Sequence, residues 1–310
     1  MSRPEHRSGW AFALAALEPL CTPNGLLTDT FTEATFGWRL AETRRDGTIP
    51  YKEPWLAFLH NPPGIPEWHE YYSAPQVLLQ SEAWLASAPQ CVGIVTFSQW
   101  MANWLRARTS FEVVALVHPT EVPEIRFDWS RYEANPDPKI VQIGWWLRRL
   151  HSIYQLPVRT LRRAMLQPVG DDKIQEFRRI LAREAQHVDL STCDKAGVVE
   201  LPYRDNDAFD NLLAENLVFV DLYDSVCNNT LIECIVRHTP VLVNPLPSVV
   251  EYLGPEYPLY FDGLNDAARK ADDRRRVLAA HRYLEAMPKD QFSAGYFRRS
   301  LAESALYRRL

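Results

Sequence analysis

The stretch that decides the fold is Val220-Asp-Leu-Tyr-Asp-Ser-Val-Cys-Asn-Asn-Thr-Leu-Ile-Glu-Cys-Ile-Val-Arg-His-Thr-Pro-Val-Leu-Val-Asn244. It reads as strand, polar loop, helix, short turn and strand. Residues 217–222 form an apolar run with almost no polar relief, as expected of a strand covered on both faces. The helix reads from Leu231 to His238 and ends before Pro240, which has no N–H to continue it. Residues 240–244 are the next strand. Strand, crossover helix and strand in this order make one unit of a parallel sheet.

The polar residues of this stretch gather where a ligand is expected. Asn228, Asn229 and Thr230 stand at the helix start. A helix start offers N–H groups without intrahelical partners and the positive end of the dipole, which suits a diphosphate. The same three residues would also suit an ordinary N-cap cluster. Glu233 follows Thr230 by about one turn. Its carboxylate can accept two hydrogen bonds from a ribose diol. Glu251 lies beyond the next strand and the loop Asn244-Pro-Leu-Pro-Ser248. Ligands of open α/β sheets bind at the carboxyl ends of the strands, and these residues all follow such ends.

The rhythm continues on both sides. Towards the N-terminus, residues 55–59, 91–97 and 112–117 read as buried strands. Ser98 is placed to cap a helix with Trp100, Met101, Trp104 and Leu105 on one face. Residues 118–138 break the pattern with four prolines and little periodicity, and read as the crossing between domains. Beyond them, residues 139–143 are a strand ending at Gly144, residues 172–185 are helical, and the C-terminal stretch is helical and rich in arginine. The pattern predicts domains at 1–125 and 136–289, the first completed by a helix at 290–310. A length of 310 residues fits two domains at roughly 100–200 residues each.

Composition excludes several classes. The net charge of −5 gives no global basic field for nucleic acid, though a modified nucleic acid stays open as an acceptor. The five cysteines, Cys21, Cys91, Cys193, Cys227 and Cys234, show no paired metal spacing and read as reduced thiols of a cytoplasmic protein. The opening residues MSRPEHRSGW have no apolar signal core, and no run approaches the ~18 apolar residues of a membrane span. Only 12 glycines occur, and no glycine-rich phosphate loop is among them. The ten tryptophans suit either core packing or flat faces for sugar rings.

Residues 217–261 resemble the donor-binding signature of GT-B glycosyltransferases. In the retaining family-4 enzymes, two glutamates stand eight positions apart before a turn, a proline and a strand, with a further glutamate after a loop. Glu233 matches the second of the pair, Thr239-Pro240 matches the turn, and Glu251 resembles the later glutamate. The first position falls on Ser225, a departure from the pattern. Thr230-Leu-Ile-Glu233 is also similar to the Thr-x-x-Glu helix of inverting GT-B enzymes and of sugar-nucleotide 2-epimerases. Phe58-Leu-His-Asn-Pro62 resembles the family's strand-end histidine, which puts His60 near the transferred sugar as a hydrogen-bond donor. Ile143-Gly-Trp-Trp-Leu-Arg-Arg149 resembles the segment where the family sets an arginine, and a lysine a few residues on, against the diphosphate. Arg148 and Arg149 stand there, and no lysine follows at that spacing. Arg7-Ser8-Gly9-Trp10 reads as the remnant of the family's opening glycine loop.

The resemblance implies an α/β fold of GT-B type, two Rossmann-like domains facing across a cleft. It implies transfer of a sugar from a nucleoside-diphosphate sugar to an unidentified acceptor. His60, Arg148 and Glu233 are the catalytic candidates. Arg148, Arg149, Asn228, Asn229, Thr230, Glu233 and Glu251 are the donor-binding candidates. No cofactor is expected beyond the nucleotide-sugar co-substrate. No metal is expected either, since Asp205-Asn-Asp207 reads as a helix cap rather than a strand-loop Asp-x-Asp. An inverting enzyme needs a general base, for which His60 and several N-terminal carboxylates are available. No single base stands out, which points towards retention by positioning and leaving-group stabilisation. Two further readings stay open: a GT-B-like protein that binds nucleotide sugar or glycan without turnover, and a 2-epimerase.

Overall fold

The structure is a computed structural model in which residues 9–22 and 25–309 are described. These residues fall into two compact α/β units, each built on a parallel sheet. Arg7 and Ser8 of the expected N-terminal remnant lie outside the described residues.

The first unit comprises Trp10–Pro119, Asp224–Cys227 and residues 291–309. Its four parallel strands run in the order β1 (Leu27–Asp29), β2 (Trp55–Phe58), β3 (Cys91–Thr96) and β4 (Val113–Ala115). Every residue of β2 is buried, as its uninterrupted apolar sequence requires. β1 gave no sequence signal because it is a three-residue edge strand with two exposed residues. Ser98 caps the helix Gln99–Arg106, its Oγ accepting the Met101 N–H at 3.2 Å. Met101 and Leu105 go under this helix, while Trp100 and Trp104 stay half-buried. The tryptophans split accordingly. Trp55 and Trp84 pack with Phe36 and Tyr51 in the core, and Trp55 Nε1 donates to the Ser87 carbonyl at 2.9 Å.

The C-terminal helix Ala294–Ala302 packs on helix Trp10–Leu17 and stacks Phe297 on Phe97. Leu306 then lies so close to β3 that a Cβ at Gly93 would sit 2.5 Å from its Cδ1. Glycine is thus what admits this segment to the sheet.

The second unit comprises Gly9, Thr120–Tyr223 and Asn228–Asp290. Its five parallel strands are β5 (Lys139–Gln142), β6 (Arg162–Leu166), β7 (Val198–Leu201), β8 (Leu217–Val220) and β9 (Val241–Val243), in the order β7-β6-β5-β8-β9. This is the doubly wound order, with the reversal between β5 and β8. β8 is buried throughout. β6 and β7 gave no sequence signal: β6 opens on Arg162 and Arg163, which pair with Asp137 and Asp194, and β7 is an edge strand with an exposed Glu200.

Residues 118–138, expected as the crossing between domains, contain the division between the two units. The division falls between Pro119 and Thr120, and the residues after it pack on the second unit. Phe127 N–H bonds the Arg237 carbonyl and Asp128 N–H the Ala214 carbonyl. Asp128 then caps a helix, Trp129–Ala134. Prolines obscured a segment that is ordered by contacts distant in sequence. Among the described residues, no helix is long and apolar enough to cross a membrane.

Candidate active site

The second unit's sheet reverses its order between β5 and β8, and the loops that follow these two strands carry the expected residues. After β5 the chain turns through Gly144 and Leu147, both at positive φ (79° and 54°). It then zips onto the residues leaving β8. Tyr223 N–H bonds the Leu147 carbonyl at 3.0 Å, Arg149 N–H bonds the Asp221 carbonyl at 2.8 Å, and Arg148 bridges Leu222. Positive φ at Leu147 carries strain, and these bonds hold it.

The zipper fixes Arg148 beside the start of helix Asn229–Arg237. Arg148 Nη2 donates to Asn228 Oδ1 at 3.3 Å and to Thr230 Oγ1 at 3.2 Å. Its Nη1 donates to the Trp146 carbonyl at 2.7 Å. The Nε atom is buried and has no partner. A Cβ at Gly144 would sit 2.9 Å from Nη2, so glycine makes room for the guanidinium. Burial lowers the Arg148 pKa to about 10, which leaves it cationic at neutral pH. Asn228 caps the helix, its Oδ1 also accepting the Leu231 N–H at 3.1 Å. Cation, helix start and an unsatisfied donor thus meet at the switch point, an arrangement whose charge suits an anion. Asn229 opens the helix and is partly exposed.

The other donor candidates are placed differently from expectation. Glu233 is only 2% exposed, and its carboxylate pairs with the fully buried Arg237 one turn on. Arg237 Nε and Nη2 also reach Asp210 Oδ1, at 3.0 and 2.6 Å. A charge buried in such a triad serves the fold. Glu233, expected at the ribose, lies one turn into the helix as read, and its side chain turns to Arg237. Sequence reading did not single out Arg237 and so missed this partner. Glu251 is exposed on the helix Pro247–Leu253 after β9. Arg149 does not join Arg148. Its guanidinium lies 4.5 Å over the Tyr223 ring and 3.4 Å from Asp221 Oδ1. Asp221, raised by burial to about 6, also accepts from Ser152 Oγ at 2.6 Å. Ser225, at the position of the family's first glutamate, is buried and belongs to the first unit.

In the first unit, His60 follows β2 as the sequence suggested. Its ring packs against Trp10, Phe31 and Phe97, and burial pushes its pKa down to about 3. The neutral ring donates from Nε2 to the Thr30 carbonyl at 3.0 Å, which leaves Nδ1 an acceptor. The N–H expected to serve a sugar hydroxyl is thus directed to the Thr30 carbonyl. Beneath it stands Glu33, which sequence reading did not single out. Glu33 is fully buried; its Oε1 accepts the N–H groups of His60 and Asn61 at 2.6 and 2.7 Å. Its Oε2 is buried without a partner. Burial raises its pKa to about 7. Among the described residues, no group of three His, Cys, Asp or Glu is arranged to hold a metal ion.

No family model matches the chain. No curated protein matches it in sequence. Solved structures do match in fold. Anabaena HepE in complex with UDP and glucose superposes with a TM-score of 0.59 at 13% identity, over 81% of this chain and 71% of that one. The UDP-forming α,α-trehalose-phosphate synthase from Burkholderia vietnamiensis gives 0.56 at 15% identity, over 97% and 77%. The Burkholderia xenovorans synthase in complex with glucose-6-phosphate gives 0.58 at 12%, over 94% and 75%. These neighbours are GT-B glycosyltransferases. At such identities the likeness is one of fold, and the fold of this chain, α/β with two parallel sheets, is that of the GT-B proteins.

Proposed function

We propose that the chain is a glycosyltransferase that moves a sugar from a nucleoside-diphosphate sugar to an acceptor. The observation that carries this reading is the meeting of Arg148 with the start of helix Asn229–Arg237 at the β5/β8 switch point. When the bond between the sugar's anomeric carbon and the diphosphate oxygen breaks, negative charge grows on the departing phosphate. Arg148 and the helix start are aimed at that charge, and they stabilise it more than the bound ground state. This positive charge suits a leaving group without a metal. Glu251, exposed on its helix, is assigned to the ribose or the sugar. Glu233 holds the helix from within.

His60 is bonded through Nε2 and Glu33 is fully buried, and no single carboxylate of the loop after β2, where Glu67 is exposed and Glu70 partly so, stands out as a general base. We therefore favour retention, in which the acceptor hydroxyl passes its proton to the departing phosphate. The five cysteines are free thiols, consistent with a cytoplasmic site of action. A second reading, a nucleotide-sugar or glycan binding protein of the same fold, draws on two observations: Ser225 replaces a glutamate, and Glu233 is taken by Arg237.

A thermal-shift panel of UDP, GDP, ADP, CMP and dTDP tests the donor site. UDP comes first because HepE is solved with it. A ligand at ~100 times its dissociation constant stabilises the fold by ~2.7 kcal/mol. If every one of them leaves the melting temperature unchanged at millimolar concentration, the donor-site reading fails. Hydrolysis of the matching nucleotide sugar then separates enzyme from binding protein.

A further inference from the structure

We infer that Glu184 is a positioning residue, which locks the segment carrying Arg148 so that its guanidinium is held against the helix start. The consequence for ligand affinity rests on the donor-site reading; the locking itself rests on geometry alone. Glu184 is the last residue of helix Asp171–Glu184 and is 0% exposed. That is a doubly unfavourable place for a carboxylate. Burial removes its hydration, and a helix C-terminus already carries partial negative charge.

Four donors compensate. Oε1 accepts the Leu150 N–H at 3.0 Å and the Tyr223 hydroxyl at 2.7 Å. Oε2 accepts the His151 N–H at 2.9 Å and lies 2.7 Å from His151 Nδ1. Two consecutive backbone N–H groups converging on one carboxylate fix both peptide planes.

Those peptides come directly after Arg149. Upstream, Leu147 is tied to Tyr223 and Arg149 to Asp221. Glu184 closes the downstream end and also holds the Tyr223 side chain, whose backbone N–H holds Leu147. Arg148 is thereby braced on both sides, although Glu184 does not touch it. Ligand binding gains most from such a group when it is ordered beforehand, because its rotamers need not be frozen on association. Glu184 therefore carries a share of diphosphate affinity that none of its own contacts would suggest.

The test is Glu184→Gln in the full chain. The amide keeps the shape but turns a donor towards one of the backbone N–H groups. Two readouts are taken. The first is the NMR signal of Arg148 Nε–H, which needs no ligand. The expected result is a distinct, slowly exchanging signal in the wild type that collapses towards the exposed-arginine position in the variant. The second is affinity for UDP and for uridine. UDP should weaken by about ten- to hundredfold, the scale of one ordered charge-assisted hydrogen bond, while uridine stays within about twofold. A purely structural role would weaken both alike. Equal loss of both ligands, loss of neither, or an unchanged Arg148 signal overturns the inference while leaving the donor-site reading in place. If the wild type binds no nucleoside diphosphate but the signal collapses, the donor-site reading fails and the positioning stands. Should Glu184→Gln fail to fold, Glu184→Asp, which keeps the charge but withdraws it by one methylene, is read in the same way.

Discussion

The two sheets end in opposite chemistry. Beyond β5 and β8, a guanidinium is held by an asparagine and a threonine and has one buried N–H without a partner. Beyond β1 and β2, a carboxylate is held by two backbone N–H groups and has one buried oxygen without a partner. Burial disfavours the charged form of both. The outcomes differ because the starting values differ: Arg148 falls to about 10 and stays cationic, whereas Glu33 rises to about 7 and titrates near neutrality. The second unit thus carries a permanent positive centre suited to phosphate. The first carries a centre whose charge depends on pH.

This contrast can be broken in three places. The largest effect is expected at Glu233, whose charge belongs to the fold. Glu233→Gln leaves Arg237 underpaired in the core and should lower stability by about 3–5 kcal/mol, the range for breaking a buried pair, in urea denaturation. An unaltered midpoint would return Glu233 to the ligand-binding face.

Next comes Glu33. Its folded pKa is about 7 against an ordinary 4.5, so the folded chain keeps a proton that the unfolded chain has released. Stability should therefore fall as pH rises from 4.5 to 7 and level off above. Glu33→Gln lacks that dependence, and the wild type should lose about 3 kcal/mol relative to it across this range. Parallel stability–pH curves for the two proteins would show that Glu33 titrates as an ordinary carboxylate.

The smallest effect is expected at Arg149. Half-exposed and engaged by Asp221 and Tyr223, it is a structural neighbour of the site. Arg149→Ala should change UDP affinity by less than about threefold, in line with a solvent-screened pair. A loss as large as that for Arg148→Ala would mean that both arginines hold phosphate.

How much of this was legible in the sequence depends on where each signal lies. β8, helix Asn229–Arg237 and β9 are written in local terms: an uninterrupted apolar run, a polar cap and a proline stop. Ser98 and Asp205 were readable as caps for the same reason, and Asp205 does accept the Ala208 N–H. Arg148 was singled out through the resemblance of residues 143–149 to the family segment that carries an arginine. What failed to show depends on partners distant in sequence. Arg237 looks like a solvated helix end until Asp210 closes on it from another helix. Glu184 looks like an ordinary helical glutamate until Leu150 and His151 arrive. Glu33 sits in Thr-Phe-Thr-Glu-Ala, a run with no motif, and gains its character only when His60 and Asn61 return to it. The edge strands β1 and β7 are short and partly exposed, so periodicity had little to register.

The central claim is that Arg148 and the start of helix Asn229–Arg237 hold a diphosphate. Calorimetric titration of UDP and uridine into the wild type and into Arg148→Ala tests it most directly. The account predicts that the substitution weakens UDP by about ten- to hundredfold, the loss of one or two charge-assisted bonds, and leaves uridine within about twofold. Equal weakening of both ligands, or an unchanged affinity for UDP in a folded variant, would contradict it.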